Sequence, residues 1–378
     1  MPNGQAPVEF PLISSPQEEH LEDAIALCMS GGGYRAMLFH VGVLWYLEDA
    51  GYLRKLGRIS SVSGGSITSG VLALAWTRIE AAADRKRAFQ DLVVAPVRKM
   101  ADTNIDTRAV LAGALGPGTV SDRIIKKYKE VLFGNKTLQD FPDQPRFVIN
   151  ATNVQTGSLF RFSKPYIGDW QVGRCLKPQR PVAEAVAASS AFPPVLSPVH
   201  LEFAPNDFDS DPGPCHSEPF TTRVVLTDGG VYDNMGIETA WKRCRTVLVS
   251  DAGGKMQPEK EPHSNWAQHS LRINSLIDNQ VRSLRKRQVV SSFKSGIRKG
   301  AYWGMWTDPA EYPAASQLSL PSGRAEELAR TPTRLKAVPG RLQEQIINFG
   351  YGMAERALRS YYDPNAFAAA GFPYTVGI

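Results

Sequence analysis

The chain has 378 residues, a formal charge of +6 and four cysteines. That length can bury a large core, and the ordinary apolar content excludes wholesale disorder. Cys28, Cys175, Cys215 and Cys244 are too few and too scattered for a disulfide framework or a zinc site, and the charge excess is mild.

Residues 1–23 are polar and proline-containing and read as a loose N-terminal arm. Their start lacks the basic-then-apolar pattern of a secretory signal, and no run of about 18 apolar residues marks a transmembrane helix. The expected setting is cytoplasmic, with any lipid met peripherally. Ala24–Ser30 is an apolar run short enough for a buried strand. Gly31-Gly32-Gly33 breaks it. An apolar stripe over Tyr34–Ala50 then predicts a helix stopped by Gly51. Arg58–Val62 reads as a second strand, Ser63-Gly64-Gly65-Ser66 as a turn and Ile67–Ala83 as a second helix. This alternation predicts an α/β chain with a doubly wound sheet.

Residues 84–140 look helical and more polar, a candidate cap or lid. Arg146–Val154 and Ser158–Ser163 form a predicted strand pair around Gln155-Thr156-Gly157. Val182–Ala191 predicts a small-residue helix that ends at Phe192-Pro193-Pro194. Residues 205–219, rich in Asp, Pro and Ser, read as a mobile surface loop. Strands are expected at Arg223–Thr227 and Arg245–Asp251. A long basic helical stretch follows from Trp266 to Lys299, and Arg341–Ser360 reads as a terminal amphipathic helix. No internal repeat or low-complexity linker divides the chain. Residues 24–378 are therefore expected to form one domain, with helical additions at about 84–140 and 266–361.

Three loops carry candidate chemistry. Ser61-Val62-Ser63-Gly64-Gly65 lies between a strand and a helix. A serine on so sharp a turn is lifted above the sheet, near the positive end of the helix. Such a turn needs small neighbours, and Gly64, Gly65 and Ser66 supply them. Ser61 stands where the usual motif begins with glycine. Gly31-Gly32-Gly33, followed by Tyr34 and Arg35, lets backbone N–H groups converge on an anion. As a phosphate loop it lacks Gly-Lys-Ser/Thr. As a dinucleotide loop it has Ala36 in the third glycine's place and no ribose-binding acid. As an oxyanion hole it fits Ser63. Arg35 would brace the loop or attract a phosphate. Asp228-Gly229-Gly230 ends an apolar strand. It offers either an acid on the sheet edge that Ser63 would occupy or a plain Asx-turn.

Together with AVAASSAFPPVLSPV between them and DGGVYDN at the end, these segments resemble the patatin-like phospholipase family over most of 24–254. The resemblance implies a three-layer α/β/α fold around a central, mostly parallel sheet, and a Ser–Asp dyad without histidine. Carried onto this chain, Ser63 is the nucleophile, Asp228 the base, and Gly31, Gly32 and Gly33 the oxyanion loop, supported by Arg35, Gly65, Gly229 and Gly230. The departures, Ser61 and Ala36, touch no reacting group. The implied activity is that of a lipid acyl hydrolase, of phospholipase A or lysophospholipase type, acting on a phospholipid or other acyl ester. No metal or cofactor is called for, since no carboxylate cluster reads as a calcium site. No activator is legible in the residues.

Other readings stay open beside it. A carboxylate with a pKa of about 4 is a weak base for serine unless burial raises it. A Ser-Asp-His esterase would place its histidine after the acid, at His263 or His269. His40, on the apolar helix, reads as a core histidine. A non-catalytic lipid-binding module and a nucleotide-binding protein are rival classes. Asn150 to Asn153 would line the site or satisfy loop backbone, Asp233-Asn234 would cap a following helix, and Asp251 would edge the pocket. The basic residues of 272–299 form either a solvated helix face or a dock for anionic lipid headgroups aided by Phe293, Tyr302, Trp303 and Trp306. Nucleic acid is not expected, because no recognised binding motif accompanies the charge.

Overall fold

The computed structural model describes residues 21–105 and 120–378. Residues 1–20 of the expected arm, and 106–119 of the expected helical addition, lie outside the described residues. The arm's last two expected residues belong to the sheet, because β1 runs Glu22–Met29.

The first elements alternate as their patterns predict. β1 leads to α1 (Gly33–Asp49), β2 (Leu56–Val62) and α2 (Gly64–Ala81). Gly51 stops α1 at φ 71°, its N–H bonded to the Glu48 carbonyl at 3.0 Å. Next come α3 (Arg85–Phe89) and α4 (Ala95–Ala101), joined by a π-helical turn, and then α5 (Val120–Tyr128). Among the described residues these helices pack into the body of the fold. Phe89, Val97, Met100 and Tyr128 are buried in the same core cluster as the side chains of α1 and α2. Their polar residues are simply the outer face of a packed layer.

The second half of the chain is richer in strands than its sequence pattern. β3 (Arg146–Asn153) and β4 (Ser158–Phe162) form the expected antiparallel pair. Two four-residue strands follow, β5 (Tyr166–Asp169) and β6 (Gly173–Leu176). Then come α6 (Val182–Ser189), β7 (Val199–Glu202), β8 (Arg223–Asp228), α7 (Gly230–Asp233), α8 (Glu238–Trp241) and β9 (Cys244–Asp251). The long basic helix α9 covers Trp266–Lys294 and does not continue to Lys299. Gly296, at φ 73°, turns the chain, and Lys299 opens β10 (Lys299–Gly304). Two helices, α10 (Ser322–Ala329) and α11 (Gly340–Tyr361), complete the chain.

One sheet has the order β10-β9-β1-β2-β3-β4-β5-β6. Its central run from β10 to β3 is parallel, and antiparallel strands extend it beyond β3. Strand residues alternate between two apolar layers. Leu27 and Met29 join the core with α1, α2 and α11, while Ala26 and Cys28 join a second cluster with Met235, Ile237, Ala240 and Val289. Helices therefore cover both faces, giving an α/β/α fold. Each large side chain fully removed from water, such as Phe39 or Trp303, contributes about 1.5–3 kcal/mol.

One detail of register positions the chemistry. β2 pairs with β3 only as far as Val62 opposite Asn150. β4 holds the other side of β3, so β8, which pairs with Ala151 to Asn153, must take over the β2 side. β2 and β8 thus meet end to end, and Asp228, opposite Ala151, arrives where Ser63 turns off the sheet.

Candidate active site

Ser63 sits between β2 and α2 with φ 52° and ψ −120°. A non-glycine residue held there costs on the order of 1–3 kcal/mol, so its surroundings must enforce the geometry. They do so with four buried hydrogen-bonding groups. The Ser63 N–H donates to Ser189 Oγ at 2.9 Å. Ser189 Oγ donates to the Asn150 carbonyl at 2.6 Å. Ser66 Oγ lies 2.9 Å from Ser189 Oγ and donates to Ser61 Oγ at 3.1 Å. A hydroxyl has one hydrogen, so Ser66 can serve Ser61 or Ser189 but not both at once. Ser61, which replaces the usual first glycine, is therefore a working part of the clamp. Gly64 is required for a different reason: a Cβ there would stand 2.1 Å from the Gly33 carbonyl oxygen. Gly65 packs on the end of β1, where a Cβ would stand 2.7 Å from the Met29 and Ser30 carbonyl oxygens.

Asp228 ends β8 with 1% of its surface exposed. Its N–H donates to the Ala191 carbonyl at 3.0 Å, and the next N–H, of Gly229, reaches the Ser189 carbonyl at 3.2 Å. The C-terminus of α6 therefore holds both the nucleophile turn and the acid turn. Oδ1 of Asp228 accepts the Gly230 N–H at 2.7 Å, which is the expected Asx-turn. Oδ2 is buried without a hydrogen bond. Burial pushes the carboxyl up to about 7, against the lowering effect of the Gly230 N–H and the Ser63 hydroxyl. The hydroxyl is thus near enough to act on the acid without completing an aligned bond.

The glycine loop faces the same turn. Gly32 has φ 141° and Gly33 φ 60°, backbone that side-chain-bearing residues rarely adopt. The Gly31 N–H is committed to the Asn234 carbonyl at 3.0 Å. Among the described residues, no hydrogen bond engages the N–H groups of Gly32 and Gly33, which open α1. Arg35 is buried and bonded to backbone carbonyls, at 2.8 Å from Ala252 and 3.0 Å from Thr331, with a third bond to Ala329. Burial lowers its pKa to about 10. Both of its terminal nitrogens are committed to backbone carbonyls.

The remaining candidates separate cleanly. His263 and His269 are exposed, and among the described residues no histidine is hydrogen-bonded to Ser63 or Asp228. His40 is a core residue, with Nδ1 2.9 Å from Ser250 Oγ and Nε2 2.9 Å from the Ser30 carbonyl, and burial lowers its pKa to about 4. Asp233 caps as expected, accepting the Glu238 N–H at 2.7 Å. Asn150 donates to Ser60 Oγ and to the Ser61 carbonyl, both at 2.9 Å, and so lies inside the sheet under the turn. The aromatic residues expected to aid lipid docking are wholly or partly buried. Tyr302 and Trp303 are buried, bonded to Asp251 and Ser250, and Phe293 and Trp306 pack against the core clusters. Sequence reasoning missed Ser189, and it gave Asn234 a capping role, not its carbonyl's hold on Gly31. Nothing in a serine at a helix end announces that its hydroxyl supports a strand two elements away. The density of small residues in AVAASSA was the available signal, since it permits the close approach.

The family model described as patatin-like phospholipase matches residues 27–241. Among curated proteins, none matches the chain. Among solved structures, the chain is similar to VipD from Legionella pneumophila, at 14% identity and a TM-score of 0.39, covering 91% of this chain and 67% of that one. It is also similar to human GIVD cytosolic phospholipase A2, at 12% identity and a TM-score of 0.47, covering 89% of this chain and 58% of that one.

Proposed function

The chain belongs to the patatin-like phospholipase family, and we propose that Ser63 and Asp228 hydrolyse the carboxylic ester of a phospholipid or lysophospholipid. Asp228 Oδ2 takes the proton from Ser63 Oγ as that oxygen attacks the acyl carbonyl. The N–H groups of Gly32 and Gly33 donate to the developing oxyanion, with Gly31 as scaffold. Asp228 then returns the proton to the departing alkoxide. A water, deprotonated by Asp228, releases the fatty acid from Ser63. Arg35, Gly65, Gly229 and Gly230 hold the loops in place.

The observation that carries this reading is a strained serine beside a buried acid whose second oxygen has no partner. A carboxyl with a pKa of about 7 is matched to proton transfer near neutral pH, which an ordinary aspartate is not. A fluorophosphonate probe tests the reading. The parent protein should be labelled, Ser63→Ala should not, and Asp228→Ala should label far more slowly. His263→Ala and His269→Ala should label like the parent. A folded parent that resists the probe would sink the hydrolase in favour of a lipid-binding module. A dead but folded histidine variant would replace the dyad with a triad.

A further inference from the structure

The helix α9 is turned inside out relative to an ordinary surface helix. Its only buried residues, Val289 and Ser292, lie in its last two turns. Upstream, Leu271 and Leu276 are exposed on other faces of the helix, while Trp266, 83% exposed, lines up with the exposed Ile273, Ile277, Val281 and Leu284. At 100° per residue these five fall within an arc of about 80°, and they run about 27 Å along the helix. The side next to the stripe, around Arg285 and Arg282, holds the helix to the body through polar pairs. Arg282 meets Asp251 at 3.3 Å, and Arg285 meets Glu238 at 3.5 Å and Asp233 at 3.8 Å. A soluble helix buries its apolar stripe and solvates its charges, whereas this one does the reverse.

The stripe is anchored beside the candidate site. Asp251 precedes Ala252, whose carbonyl accepts Arg35 from the glycine loop. Asp233 follows the Asp228-Gly229-Gly230 turn. Two more exposed apolar side chains stand at that turn and its support: Val231, three residues after Asp228, and Phe192, next to the Ala191 that holds it.

Resting on the hydrolase reading above, we propose that the α9 stripe is the surface by which this protein enters the face of an anionic phospholipid bilayer. The charge on the helix selects that occupant. α9 carries six basic residues and one acid, Asp278. Arg287 and Lys294 are exposed, carry no ion pair among the described residues, and stand past the C-terminal end of the stripe on the side of one of its edges. A second copy of α9 brings almost no negative charge to meet them, whereas a layer of anionic headgroups does.

Vesicle flotation with the full chain in a Ser63→Ala background, so that no lipid is consumed, tests the docking. The lipids are phosphatidylcholine alone and phosphatidylcholine mixed with phosphatidylglycerol. Parent binding should favour the mixed vesicles. Ile273→Asp combined with Ile277→Asp should lower partitioning by about 100-fold. Arg287→Glu combined with Lys294→Glu should weaken binding to mixed vesicles about tenfold and leave the weaker neutral binding unchanged. With Ser63 intact, both double variants should hydrolyse a short soluble ester like the parent, which also certifies their fold. Unchanged vesicle binding by both variants would overturn the proposal. So would a parent dimer that the isoleucine variant splits, because the stripe would then join two copies. A parent that hydrolyses no ester, yet binds vesicles through the stripe, would remove the hydrolase reading and leave the docking standing.

Discussion

Two aspartates end strands on the same edge of one sheet, both are buried, and their surroundings treat them in opposite ways. Asp228 has one oxygen on the Gly230 N–H and the other unpaired, and its pKa is up at about 7. Asp251 accepts the Gly253 N–H at 2.9 Å and the Tyr302 hydroxyl at 2.8 Å, and faces Arg282 at 3.3 Å. Burial pushes Asp251 up as well, but Arg282 and these donors outweigh it and hold the pKa below the ordinary carboxylate value. Burial alone therefore does not make an acid reactive. A withheld partner leaves the acid ready to take a proton, because an unmatched carboxylate oxygen gains no compensation for its charge. Asp251 is structural by the same logic: its charge is fully answered, and the answer ties α9 and β10 to the sheet.

The largest expected effect tests the reactive side of this contrast. Asp228→Asn keeps the shape and, on the proposed mechanism, removes the base, so kcat on a soluble ester should fall about 10⁴-fold. In the parent, kcat/KM should rise with pH and level off above a midpoint near 7, because the base works only when deprotonated. A flat profile between pH 5 and 8 would show that Asp228 is not the group that titrates.

The same substitution should raise stability. A folded-state pKa above the unfolded value means that stability is fully present in acid and is lost as pH rises through about 7. Asp228→Asn escapes that loss. It should be more stable than the parent at pH 8, by up to ~4 kcal/mol in urea, with the difference vanishing toward pH 4. Higher stability joined to lost activity is the signature of a site held in an unfavourable state for use.

How far this contrast could be read from the sequence follows from what kind of signal each part leaves. β1, α1, β2 and α2 were legible within three residues, because continuous apolar runs and glycine punctuation mark them directly. The Asp228 turn was legible as a motif. Its unpaired oxygen was not, since that depends on what the rest of the chain fails to bring. β5, β6 and β7 have four residues each and too little apolar pattern to register. β10 was hidden behind a basic helix whose stop, Ser295-Gly296, is present in the sequence and was read through. The Arg282–Asp251 pair joins residues far apart in the chain and of ordinary type, so no local pattern could assign it.

Breaking the answered side should cost stability, not chemistry. Arg282→Ala leaves Asp251 buried without its cation, at a cost of about 3 kcal/mol near pH 7. Here the linkage runs the other way. The depressed pKa of Asp251 gives stability that is present above the unfolded carboxylate pKa and lost as pH falls through the folded one. The gap between parent and Arg282→Ala should therefore narrow in acid, opposite to the trend for Asp228→Asn. Parallel pH trends for the two variants would erase the distinction between the aspartates.

The smallest effect is the most discriminating, because it removes one donor and no charge. Tyr302→Phe deletes the hydroxyl that donates to Asp251 Oδ2 and keeps the ring over which Lys286 lies. Arg282 still faces the carboxylate, so the loss should be only about 1.5–3 kcal/mol, the worth of one hydrogen bond to a charged group. Esterase activity should not change, since Asp251 makes no contact with the reacting atoms in this scheme. If Tyr302→Phe instead lowered kcat while leaving the melting temperature alone, Asp251 would belong to the chemistry. The two strand ends would then form one extended site rather than a reactive acid beside a structural one.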